Sequence, residues 1–192
     1  RVEKTTNGNL AVRYALSAIR NVGEAAMGIL EQEQKSGGIF SNLQEFVSRL
    51  DGRVLNKRSL ENLIKAGALD KINSDRAKLF GGVDIIVRHS NLNSDEQNSD
   101  QESLFDNSKE FVAGVPELPA AIEWDSLERL NYEFEAMGFY LSAHPLDTYG
   151  ETLERLDVVD SLSIVSNIHS KGGAGRINLA GVVSSSKVRI NQ

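Results

Sequence analysis

The sequence predicts a mainly α chain, a domain of short helices followed by the truncated start of a β domain. Three observations carry that expectation. Apolar residues recur three and four apart through most of residues 10–90, and again from about residue 125. Glycines and side chains that suit helix caps divide the pattern into short helical pieces. Only residues 176–183 and 187–190 read as strands, separated by a Ser-rich turn.

Taken in order, Val12, Ala15, Leu16 and Ile19 have helical spacing, although the first of them also suit an extended chain. Val22, Ala25, Ala26, Ile29 and Leu30 make a second apolar stripe, stopped at Gly37-Gly38. Ser41 with Gln44 reads as a capping box ahead of Leu43, Phe46, Val47 and Leu50. Asn56 suits the cap of the next helix, with Leu55 and Leu60 as its staple and Gly67 as its left-handed stop. A further helix is expected from Ser74 through Leu79, Val83 and Val87. Residues 90–101 hold one leucine and no other apolar side chain, too little burial to offset the entropy of ordering, so a mobile loop is expected. Asp125 with Glu128 caps a helix that places Leu127, Leu130, Phe134 and Met137 inside and ends at Gly138. One more helix is expected over about 148–156. The resulting divisions are 1–90, 91–124, 125–160 and 161–192.

The chain has 192 residues, 40% hydrophobic and 25% charged, within the range of soluble globular proteins. It has no cysteine, which excludes disulfides and thiolate metal sites. No apolar run reaches the roughly 20 residues of a membrane span, and no signal peptide opens the chain. Arg1 rather than Met comes first, which suits a piece of something longer. The net charge of −6 is uneven. Residues 1–90 hold 14 Lys and Arg against 10 Asp and Glu, whereas residues 91–192 hold 7 against 17. Only the front half is electrostatically suited to phosphate.

Residues 16–26 read as two short helices around a tight turn, the pattern of a helix-hairpin-helix motif. Its chemistry would come from the backbone. Gly23 leaves room for a phosphate, and the N–H groups of Glu24 and its successors open a helix whose dipole favours an anion. Asn21 stands where glycine is usual, and asparagine tolerates the left-handed conformation better than most residues. Asn21, Val22, Gly23 and Glu24 are therefore candidate duplex contacts, blind to base identity. Residues 60–70 form a second candidate around Lys65, Ala66 and Gly67, with Arg53, Lys57 and Arg58 nearby. An ordinary helical hairpin with solvated lysines fits the same spacing.

Gln101, Ser103, Leu104 and Phe105 follow the acidic stretch. An exposed Leu-Phe pair on a polar tether suits a linear motif, its two side chains filling a partner's apolar pocket while Gln101 bonds at the rim. A staple of the loop back onto its own domain is the competing reading.

Three blocks resemble one family. Val12–Glu24 (VRYALSAIRNVGE), Asn56–Asp70 (NKRSLENLIKAGALD) and Glu133–Leu146 (EFEAMGFYLSAHPL) are similar in order and spacing to blocks of bacterial DNA polymerase III alpha subunits. Ala15, Phe134 and Ala143 depart from it, and none lies in the hairpin turns or the peptide. The resemblance implies a tandem helix-hairpin-helix domain that holds double-stranded DNA behind a polymerase site. It also implies a clamp-binding peptide at Gln101, Ser103, Leu104 and Phe105, and an OB-fold beginning near Arg176. The parent would be a bacterial, cytoplasmic, Mg2+-dependent nucleotidyltransferase with other replicase subunits as partners. Its catalytic carboxylates would lie upstream, and no cofactor or catalytic residue is expected in this segment.

Other chemistry is weakly encoded. His89, His144 and His169 lack ligand spacing, so no metal site is expected. His144 suits a structural hydrogen bond ahead of Pro145, and Glu133 and Glu135 read as a solvated acidic face. Gly172 to Gly175 precede a predicted strand and read as a turn. Two other functions remain at this point: a helix-hairpin-helix module of a repair enzyme without clamp binding, and an acidic scaffold that never touches DNA.

Overall fold

Capping residues decide where the helices of this chain begin and end. The computed structural model describes residues 2–5, 7–50, 56–98, 117–164, 176–183 and 185–189, with backbone alone for 93–98 and Ser161. The chain divides into two compact units, Arg1–Tyr140 and Leu141–Gln192. The first opens with an antiparallel hairpin of β1 (Val2–Lys4) and β2 (Leu10–Val12), in which Val2 faces Val12 and Lys4 faces Leu10. A single 3-10 turn at Leu16–Ala18 follows. Among the described residues, six helices complete the unit: α1 (Glu24–Gly37), α2 (Leu43–Arg49), α3 (Lys57–Lys65), α4 (Arg76–Gly81), α5 (Val83–Asn98) and α6 (Ser126–Met137). The mainly α expectation is met.

Helix α3 is the centre of this unit. It packs on α4, α5 and α6, while α2 packs on α5. Leu60, Leu63 and Ile64 of α3 are fully buried, among Phe46, Val47, Leu79, Val83 and Ile86. Burying each such side chain stabilises by roughly 1.5–3 kcal/mol. Asn56 caps α3 as expected, its Oδ1 accepting from Ser59 N–H at 2.9 Å. Leu55, its expected staple partner, lies outside the described residues. Gly67 is left-handed at φ 75°, and the Ala68 and Gly67 N–H groups donate to Leu63 and Ile64 carbonyls, a Schellman ending. Asp125 caps α6 and Gly138 ends it at φ 84°.

Several expectations change. The predicted first helix shrinks to one 3-10 turn, because Val12 is held in a strand opposite Val2 and Ile19 is extended. On α1 the buried line is Met27 and Leu30 behind Val22, so Ala25 and Ile29 face outward. The cap of α2 lies one residue beyond Ser41: Asn42 Oδ1 accepts from Glu45 N–H at 2.8 Å, and Glu45 reaches back to Ser41. The single helix expected after Ser74 is two, capped by Asp75 and divided at Gly82. Leu118 is seated where a Cβ at Gly82 would stand. Helix α5 runs on to Asn98, inside the stretch expected to be a mobile loop. Extending a helix already anchored by buried residues costs far less than starting one. Leu127 and Phe134 of α6 are substantially exposed, whereas Glu133 is fully buried.

The second unit holds a 3-10 helix (Pro145–Tyr149) running into α7 (Gly150–Arg155), with a 3-10 turn at Ser161–Ser163. His144 has the structural role expected of it, since its Nδ1 accepts from Leu146 N–H while Asp147 accepts from His144 N–H. The strands expected over 176–183 and 187–190 are not formed among the described residues, which show only one parallel bridge, Val158 with Asn178. Alternation marks a face to bury, but a strand also needs a neighbour to receive its backbone hydrogen bonds.

Candidate nucleic-acid interface

The first predicted turn has the expected geometry. Asn21 is left-handed at φ 61°, and Val22 behind it is buried. Gly23 is the N-cap of α1 with ordinary extended torsions and no side-chain cap bond, so among the described residues no side chain caps the first N–H groups of the helix. Among the described residues, a Cβ at Gly23 would meet nothing within 4 Å, so they leave the approach open. Glu24 enters the site through its N–H group; its carboxylate would repel a phosphate.

Two anchors hold this turn. Arg20 N–H donates to Ala136 O at 2.9 Å, and its guanidinium donates to Glu135 O at 3.0 Å, a cation at the carbonyl end of α6. The Ser59 hydroxyl donates to Asn21 O at 2.7 Å. Ser59 is the third residue of α3, so its bond sets the turn beside the start of that helix, where Lys57 and Arg58 are exposed. Sequence reading missed both anchors. The residues that cap a helix show in its local pattern, but a bond spanning 38 residues does not.

The second predicted turn is closed. A Cβ at Gly67 would land on the guanidinium of Arg76, so no open face lies over that glycine. Arg76 donates to both Asp70 oxygens at 2.8 and 2.7 Å and to Glu133 Oε1 at 3.0 Å. Asp70 first, then Glu133, raise the arginine pKa above its usual value despite burial. Glu133 is therefore an internal partner for a cation, not a solvated acid. Ala66 is buried. Lys65 pairs with Glu135 at 2.8 Å and lies over the rings of Phe80 and Tyr132, 5.4 and 4.9 Å from their centroids.

The basic residues predicted around the second turn consequently separate. Lys57 and Arg58 stand at the start of α3 beside Asn21. Lys65 is at the other end, roughly 12 Å along the axis by helix rise. Lys57 is held by Asp84 at 2.7 Å, a hydrogen bond that raises the lysine pKa. Both partners are largely exposed, so a phosphate could replace the carboxylate at small cost. Arg58 makes no ion pair among the described residues. Arg53, Gln101, Ser103, Leu104 and Phe105 lie outside the described residues. Among the described residues no cluster of three His, Asp or Glu could hold a metal, and no helix is long and apolar enough to cross a membrane.

The helix-hairpin-helix motif family matches residues 1–79, the part that contains both turns. The DNA polymerase III alpha subunit of Caulobacter vibrioides is 35% identical over 184 residues, 96% of this chain and 16% of that protein. That of Rickettsia conorii is 32% identical over 182 residues, covering 94% and 15%. That of Neisseria meningitidis serogroup A is 34% identical over 148 residues, covering 77% and 13%. Over most of its own length the chain is therefore similar to DNA polymerase III alpha subunits. It matches an internal segment, spanning 13 to 16% of these relatives' length.

Proposed function

We propose that this chain is the segment of a bacterial replicative DNA polymerase that grips duplex DNA by its backbone and tethers the enzyme to the sliding clamp. The observation that carries the grip is the open turn: left-handed Asn21, unobstructed Gly23 and the uncapped start of α1, beside Lys57 and Arg58. Phosphates would be met by backbone N–H groups and by two cations, neither of which reads sequence. The second turn would support this surface through Arg76 rather than bind phosphate itself. The tether is assigned to Gln101, Ser103, Leu104 and Phe105, on composition and family resemblance. Residues 161–192 are assigned to the opening of an OB-fold on the same ground. The activity of the parent, Mg2+-dependent nucleotidyl transfer, belongs to the rest of the polymerase.

Fluorescence anisotropy of a short labelled duplex, titrated with the 192-residue chain at several salt concentrations, tests the grip. Binding should be sequence-indifferent and weaken steeply with salt; salt-independent or absent binding overturns it. Titration against a purified bacterial sliding clamp tests the tether. Leu104→Ala with Phe105→Ala should abolish clamp binding while leaving duplex binding intact. Unchanged clamp affinity would instead favour a repair-type hairpin module.

A further inference from the structure

We infer that Ser59 is a positioning residue for duplex binding, clasping the backbone of the first hairpin turn to the start of α3 so that both present themselves to one strand. This rests on the duplex-gripping reading above and deepens it. Ser59 is fully buried, and its hydroxyl hydrogen is committed to Asn21 O at 2.7 Å. Its own N–H is committed to the Asn56 cap at 2.9 Å. Both ends of the link are therefore fixed: the cap sets where Ser59 stands, and Ser59 sets where the Asn21 carbonyl stands.

That carbonyl belongs to a residue in the left-handed conformation, which is unfavourable for a non-glycine residue, though less so for asparagine. A peptide unit held there by an outside donor aims the following N–H groups in a set direction. Lys57 and Arg58, immediately before Ser59, are carried in the same frame. The hydroxyl therefore touches no DNA, yet it couples the backbone half of the site to the charged half. Neither hairpin pattern contains this link, because it joins Asn21 of the first to Ser59, one residue ahead of the second.

The test compares the chain with Ser59→Ala, and with Ser59→Cys, which keeps the volume and removes the strong donor. Each is titrated with a short duplex over a salt series and followed by amide NMR, below the unfolding temperature. Both variants should bind about tenfold more weakly, the scale of one missing buried hydrogen bond. The slope of log affinity against log salt should be unchanged, because no cation is removed. The duplex-induced amide shifts of Gly23, Glu24, Ala25 and Ala26 should fade while those of Lys57 and Arg58 persist. A folded variant with wild-type affinity overturns the inference, as does weaker binding with the Gly23–Ala26 response intact. If the unaltered chain shows no salt-sensitive binding, the grip itself is wrong and the clasp falls with it.

Discussion

Arg76 and Glu133, separated by 57 positions in sequence, meet at 3.0 Å with almost no exposed surface on either side chain. Their contact joins the start of α4 to the middle of α6, and Asp70 completes the pairing from the loop after α3.

Removing Arg76 leaves Glu133 buried without its cation, whereas removing Glu133 leaves Arg76 its two bonds to Asp70. Arg76→Ala is expected to destabilise the first unit by about 3–5 kcal/mol, and Glu133→Ala by less. Urea unfolding followed by circular dichroism measures both. A destabilisation below about 1 kcal/mol for Arg76→Ala would show that the pair is not sustained in solution.

The two turn glycines should respond oppositely to alanine. Gly67→Ala forces a side chain into a left-handed position and into the Arg76 guanidinium, so a destabilisation of at least about 1–2 kcal/mol is expected. Gly23→Ala enters open space at φ −77°, so stability should stay within about 0.5 kcal/mol of the parent. Its duplex affinity should nevertheless fall, because the methyl stands where a phosphate would approach. Thermal unfolding and duplex titration of the two variants separate these effects.

Charge reversal distinguishes the two ends of α3. Lys57→Glu with Arg58→Glu should weaken duplex binding and flatten its salt dependence, by about one unit of slope for each phosphate no longer neutralised. Lys65→Glu should chiefly destabilise the fold, since it breaks the interactions with Glu135, Phe80 and Tyr132. If Lys65→Glu instead lowers duplex affinity as strongly as the first pair while stability is unchanged, the second turn contacts DNA after all.

Acid should loosen the start of α2. The Ser41 hydroxyl, its N–H and Arg49 hold the Glu45 carboxyl at about 2, down from 4.5. A carboxylate whose pKa is lower when folded favours folding above about pH 4.5, and this contribution disappears as pH falls towards 2. Glu45→Gln is expected to be less stable than the parent at neutral pH, with the gap closing through that window. Melting temperatures of both proteins from about pH 7 to about pH 2.5 measure it. A constant gap would show that the carboxylate is not held in this way.

Much of the local architecture was legible beforehand. Asn56, Gly67, Asp125, Gly138 and His144 act as expected, because each makes its decisive bonds within five residues of itself. Asn21 was identified by a backbone tolerance that is intrinsic to asparagine. Burial was less readable where a charged residue goes inside. Glu133 carries no local sign of being buried, since its partner Arg76 comes from another helix. Lys65 looked like a free cation for the same reason.

The sequence alone determined the caps of α3 and α6, the left-handed Asn21, Gly67 and Gly138, and the helical class, since these depend on torsion preferences and on hydrogen bonds between near neighbours. Tertiary structure decided which hairpin turn stays open. Packing α6 against α3 supplies Glu133 to hold Arg76 over Gly67, while none of the described residues comes to rest on Gly23. It also decided that Asn21 and Ser59 meet, and that residues 176–189 form a single bridge and no ladder among those described. Each of these outcomes depends on which distant groups reach a position first filled by packing, and local pattern carries no record of that.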